Sequence, residues 1–171
     1  MKSKRVFFRY FAFALEIILL WVLQSTPKLM PEVFGSKPLL LLAAALSFSV
    51  FEEPAPAIIL GAVCGALCDL SSGGTIGWFA VAMTLVCFAQ AGLLGTYLNR
   101  NFVTSSLLSL GSVAAVTGLY FVFFRLFAGV ADCGQLFVEH YLSRIVYTYL
   151  CFFPLYLLNG FLHRRLGEGR R

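Results

Sequence analysis

Apolar residues in this chain fall into long blocks separated by short polar, proline-bearing or glycine-bearing stretches. The first block runs from Val6 to Leu23. The stretch Ser25 to Pro38 contains Pro27, Pro31, Gly35 and Pro38 and cannot continue a helix. A second block, Leu39 to Phe51, is about 20 Å long as a helix and ends at Glu52-Glu53-Pro54. A third, Ala55 to Leu70, stops at Ser71-Ser72-Gly73-Gly74. The fourth runs from Ile76 to Leu98 and ends at Asn99-Arg100-Asn101. The fifth runs from about Ser105 to Val130, before a loop with Asp132, Cys133 and Gly134. The sixth covers about Tyr141 to Leu162. A spanning helix takes roughly 20 residues, so the pattern predicts an all-α membrane protein of six transmembrane helices. The expected spans are about 6–24, 39–51, 55–70, 76–98, 105–130 and 141–162, in a single integral membrane domain covering 1–171.

The second and third blocks are short enough to form a re-entrant hairpin. That would place Glu52 and Glu53 at membrane depth, where two carboxyl groups cost several kcal/mol unless protonated or paired. Two short spans joined by an acidic cytoplasmic turn are the better reading, with bilayer thinning or neighbouring helices absorbing the mismatch. The first block has the basic flank of a signal peptide. Glu16 interrupts it and no small-x-small cleavage site follows, so it reads as an uncleaved helix.

Composition agrees. Of 171 residues, 60% are hydrophobic and 12% charged, about half the charged share of a soluble domain. Mean hydropathy is +0.86. Six spans leave no room for a soluble domain. The net charge of +5 is concentrated at the two ends, in Lys2, Lys4, Arg5 and Arg9 and in Arg164, Arg165, Arg170 and Arg171. With Arg100 these put nine of the 13 basic residues on one side of a six-span layout. That bias predicts cytoplasmic termini and contact with the bilayer's anionic headgroups. Nucleic acid is excluded as a partner, because no basic and aromatic residues recur in a soluble patch.

Ala57, Gly61 and Gly65 recur every four residues on the third helix, a face that lets another backbone approach closely. Gly111, Ala115 and Gly118 make a second such face on the fifth. For both, packing within this chain is favoured over contact with another subunit. Asp69 falls at the end of the third helix, where the dipole is unfavourable for an anion. Backbone N–H groups of the Ser-Ser-Gly-Gly turn are its expected partners. Gly73, Gly74 and Gly77 permit positive φ or close packing, and Trp78 fits an interfacial belt. Glu16 lies within the first span, and an intramembrane carboxyl is a functional candidate by default. Gln90, Thr117, Tyr147 and Thr148 are its candidate partners by depth. A second mid-membrane acid is lacking, so a packing hydrogen bond or partner-helix contact is favoured over proton transport. Cys64 and Cys68 share a face but have no histidine or third thiol nearby, so no metal site is expected. Cys133 alone lies in a loop, so no disulfide framework is expected. Neither a cofactor motif nor a catalytic set is recognisable.

The run Gly61-x3-Gly65-x3-Asp69-x2-Ser72-Gly73-x3-Gly77-x2-Ala80 resembles the rod shape-determining protein MreD family of bacteria. Pro154 within the last span, followed by Arg164 and Arg165, is similar too. The resemblance implies a non-enzymatic subunit of the cell-elongation machinery in the bacterial cytoplasmic membrane. Its partners would be an MreC-like protein and, through it, the MreB filament and RodA with a class B penicillin-binding transpeptidase that builds lateral peptidoglycan. The layout is also similar to the six-helix S components of energy-coupling-factor transporters, which bind vitamins. Their first helix often carries an Ala-x-x-x-Ala docking face, and Ala12 and Ala14 have the wrong spacing for it. The structural determinants implied are Asp69, Ser72, Gly73 and Gly77 for the hairpin and Gly61 and Gly65 for close approach.

Overall fold

The computed structural model describes residues 2–26, 37–72, 77–98, 100–126 and 141–167. They form an all-α bundle with no strand among the described residues: α1 (Lys2–Ser25), α2 (Leu40–Phe51), α3 (Pro54–Ser72), α4 (Trp78–Thr96), α5 (Phe102–Phe121) and α6 (Ser143–Gly167). A π-helical turn, Val122–Leu126, continues α5. Five helices are long and apolar enough to cross a membrane; α2, with 12 residues, is not. The protein is a polytopic membrane bundle.

The fold is organised around the short helix. Every residue of α2 from Leu40 to Val50 is buried, and α2 touches each of the other five helices. A helix apolar on all sides has no face to present to water, and lipid gives it no amphipathic pattern either. Being short, α2 leaves its terminal backbone groups inside the bundle, where each needs a partner. Neighbours supply them. Thr148 of α6 accepts from the Leu39 N–H at 3.0 Å, and Gln24 of α1 accepts from the Leu41 N–H at 3.1 Å. At the other end Arg100 donates to the Phe51 carbonyl at 3.3 Å and the Glu52 carbonyl at 3.5 Å. A guanidinium there also suits the negative end of the helix dipole. Shielding by neighbours, rather than exposure to a thinned bilayer, accommodates the short block.

These contacts define two ends. At the basic end, Arg9 of α1, the α2–α3 turn, Arg100 and the last turns of α6 come together. At the hairpin end, Gln24, Leu39, Cys68 and the start of α6 come together, so successive helices alternate in direction. The acidic turn departs from expectation. Glu52 is buried, not solvated, and accepts from Arg9 at 3.1 Å and Tyr10 at 3.5 Å. Burial pushes its carboxyl pKa above the ordinary value, against the opposing pull of the Arg9 guanidinium.

Helix boundaries shift from the apolar blocks where polar residues still suit a helix. α5 begins at Phe102 behind Asn101, and α6 continues past Leu162 through His163, Arg164 and Arg165 to Gly167. α4 begins at Trp78 because Gly77 takes φ +85°, a left-handed conformation that interrupts the helix.

Candidate functional site: the joint between α3 and α4

The most extensive helix pair in the bundle is α3 with α4. Its geometry follows from residues on the small face of α3. Ala57, Gly61, Cys64, Gly65 and Cys68 are buried there, opposite Phe79, Met83, Cys87 and Ala91 of α4. A methyl group at Gly65 would lie 2.5 Å from Ala80 Cα, 2.7 Å from its nitrogen and closer still to the Phe79 carbonyl oxygen. Only hydrogen fits, and the obstruction is backbone, which cannot rotate away. At Gly61 the same methyl would meet Cys87 Cβ, Cys87 Sγ and the Met83 carbonyl oxygen, all at 3.1 Å. The helices therefore converge toward the hairpin end, tightest at Gly65 and looser one turn earlier.

That convergence brings Asp69 to the start of α4. Its Oδ1 accepts from the Phe79 N–H at 3.1 Å and its Oδ2 from the Ala80 N–H at 3.0 Å. One carboxylate thus satisfies two of the orphan donors at the beginning of α4. The anion stands at the unfavourable end of the α3 dipole but at the favourable end of the α4 dipole. These two partners lie on α4; most of the Ser-Ser-Gly-Gly turn expected to supply donors lies outside the described residues. Gly77 sets the start of α4 so that those two N–H groups face Asp69. Ser72 turns back on its own helix and donates to the Cys68 carbonyl at 2.8 Å. Gly73 and Gly74 lie outside the described residues, as does Cys133. Trp78 packs against Phe123 and Phe124 in the continuation of α5, with ring centroids 5.0 and 5.6 Å away.

The second small face behaves differently and corrects the expectation of internal packing. Gly111 and Ala115 are exposed, and a methyl group at Gly111 or Gly118 would meet nothing within 4 Å. The inward face of α5 is the serine-bearing one, with Ser105, Ser106 and Ser109 buried. Gln90 of α4 donates there to Ser109 at 3.0 Å and to the Leu46 carbonyl at 3.3 Å, and accepts from Ser112 at 3.3 Å. Gln90 is therefore committed away from Glu16.

Glu16 finds a partner that depth reasoning missed. Asn159 of α6 donates to Glu16 Oε1 at 3.1 Å and to Ser47 of α2 at 2.8 Å, and Ser47 donates to the Leu155 carbonyl at 3.1 Å. Together they tie α1 and α6 to the central helix through one buried polar junction. Asn159 is not among the partners that depth suggests, Gln90, Thr117, Tyr147 and Thr148. The extension of α6 to Gly167 places it well inside the helix. Cys64, Cys68 and Cys87 are buried among the helices as small apolar residues.

Among the described residues no cluster of three or more His, Cys, Asp or Glu could hold a metal ion. The α3–α4 joint holds two helices at close range and fixes the start of α4. No family model, no curated protein and no solved structure matches the chain.

Proposed function

We propose that this chain is a membrane scaffold subunit of the bacterial cell-elongation machinery, of the MreD type. It sits in the cytoplasmic membrane with its basic end in the cytosol. It docks an MreC-like partner and, through it, serves the MreB filament and RodA with its transpeptidase. Its action is recognition by helix faces and loops, with no bond made or broken.

The observation that carries this reading is the physical unity of the run from Gly61 to Ala80. Gly61 and Gly65 admit the backbone of α4, Asp69 caps it, Gly77 sets where it starts and Ala80 receives both the cap and the close contact. Five of the seven positions that carry the resemblance, all but Ser72 and Gly73, thus build one joint, as expected if the likeness reflects a shared structural element. The clustering of Arg9, Arg100, Arg164 and Arg165 toward one end supports the orientation.

The test is affinity purification of the intact chain from its own cells after in-cell crosslinking. Capture of an MreC-like protein is the expected result. Capture of an ATPase with a transmembrane coupling subunit, or tight vitamin binding by the purified chain, would overturn it in favour of an S component.

A further inference from the structure

At the basic end, two arginines have partners within the bundle, and Arg100 stays exposed all the same. Arg9 bonds Glu52, and Arg100 bonds the carbonyls that end α2. His163 stacks on Phe51 with ring centroids 5.7 Å apart, which brings the last turns of α6 beside them. Arg164 and Arg165 follow, both exposed. Among the described residues neither forms a salt bridge. Arg165 lies over the Phe161 ring at 4.9 Å. Leu157, Phe161 and Arg165 are four residues apart and share one outward face of α6, with Leu157 and Phe161 both exposed.

The adjoining helix continues this surface. Phe102, exposed at the start of α5, packs on Phe153 and Tyr156 of α6 with centroids 5.8 and 5.2 Å away. Arg164 is 11 residues beyond Phe153, close to three full turns, and so lies on the same α5-facing side of α6. Arg100 stands two residues before Phe102. The α5–α6 seam therefore opens at the basic end between guanidinium groups, with exposed aromatic and aliphatic side chains below them.

We propose that this rim, Arg100 with Arg164 and Arg165 above Phe102, Leu157 and Phe161, binds the headgroup of an anionic phospholipid. The charge is complementary: among the described residues the acids at this end are Glu52, already held by Arg9, and Glu53, against Arg9, Arg100, Arg164 and Arg165, and the tail beyond adds Glu168 with Arg170 and Arg171. Guanidinium groups match phosphate geometry with paired N–H donors. The apolar side chains below continue into the span, where acyl chains lie. An acidic peptide in water would use the arginines alone and leave that apolar continuation unmatched.

The test uses the full chain in nanodiscs of mixed phosphatidylglycerol and phosphatidylcholine, with co-purified lipids counted by native mass spectrometry. The wild type should retain phosphatidylglycerol preferentially. The double variant Arg164→Gln/Arg165→Gln should lose at least about tenfold of that preference, at roughly fivefold per arginine. Arg170→Gln/Arg171→Gln, which removes the same charge from the tail, should keep it. Arg164→Lys/Arg165→Lys, which keeps the charge but not the paired donors, should restore part of it, which separates headgroup binding from damage to α6. The proposal is overturned if the preference survives the first variant, if the tail variant loses it equally, or if the lysine pair restores nothing. It is also overturned if polyglutamate, but not phosphatidylglycerol, is what the wild type selects.

Discussion

Two helices carry small residues at helical spacing, and the structure uses them in opposite ways. On α3, Gly61 and Gly65 face α4 at distances that exclude a methyl group; on α5, Gly111 and Gly118 face outward with nothing within 4 Å of where a methyl group would be. The pattern along the chain is nearly the same. The difference lies in what surrounds it. The α3 face is followed by Asp69, whose carboxylate fixes the start of the next helix, so closeness and capping reinforce each other. On α5 the opposite face carries Ser105, Ser109 and Ser112, and the hydrogen bonds of Gln90 turn that face inward. In a bilayer, where lipid is as apolar as leucine, polar partners decide which side of a helix faces the bundle.

The comparison breaks most decisively at Gly65. Gly65→Leu drives a side chain into the backbone of Phe79 and Ala80, and the loss expected is about 3 kcal/mol or more. Gly111→Leu adds the same atoms to an open face and should not destabilise the chain, with a gain of about 0.5 kcal/mol expected from replacing a glycine inside a helix. Thermal unfolding of the two variants in the same detergent, followed by size-exclusion chromatography, reads the contrast directly. Equal unfolding temperatures would show that the α3 face is not held closed in the folded protein.

Asp69→Ala probes the cap without touching the close approach. It strips a charged acceptor from two N–H groups at the start of α4, at an expected cost of about 2 kcal/mol. Asp69→Asn, which keeps one acceptor, should fall between. Hydrogen exchange at Phe79 and Ala80 locates the effect, because those amides should lose protection before the rest of α4. Uniform loss along α4 would mean that the carboxylate acts elsewhere.

How much of this was legible before the fold was known follows from the same contrast. The apolar blocks marked the helices because lipid demands length and apolarity, and both are visible residue by residue. Enclosure of α2 was not visible: a helix buried on every side has no period to read, and 12 residues suit a short span as well as a central rod. Gly65 and Asp69 were found by spacing. The two donors on α4 that Asp69 accepts from cannot be read from spacing, because they depend on where α4 starts, which Gly77 decides through a single dihedral angle. The Glu16 partner Asn159 is not legible from depth, because which polar residues of α1, α2 and α6 meet depends on how the helices pack around α2. The spacing of the small residues cannot tell the two faces apart, since what separates them is polar: Asp69 one turn beyond Gly65, and the serines on the opposite side of α5.

Gly77 gives a smaller effect of a different kind. Its φ of +85° costs an alanine about 1 kcal/mol, although open space surrounds the position and no clash arises. Gly77→Ala should lower the unfolding temperature modestly while leaving the α3–α4 distance unchanged, as read by a disulfide trap between helices. Asn at this position tolerates the conformation better and should recover part of the loss. An alanine variant as stable as the parent would remove Gly77 from the joint.

The smallest expected change lies on the outer face of α5, and its sign carries the information. Gly111 sits in the interior of α5 with room for a methyl group, so Gly111→Ala relieves the backbone freedom of glycine without a steric penalty. The isolated chain should gain about 0.5 to 1 kcal/mol, and Gly118→Ala should behave in the same way. The corresponding change at Gly65 must have the opposite sign, because there the methyl group meets backbone. Unfolding of the purified chain at several protein-to-detergent ratios makes the comparison. If Gly111→Ala destabilises the protein, and more so as detergent is diluted, then another helix already covers this face in solution. The two small faces would then do the same work, one within the chain and one between chains.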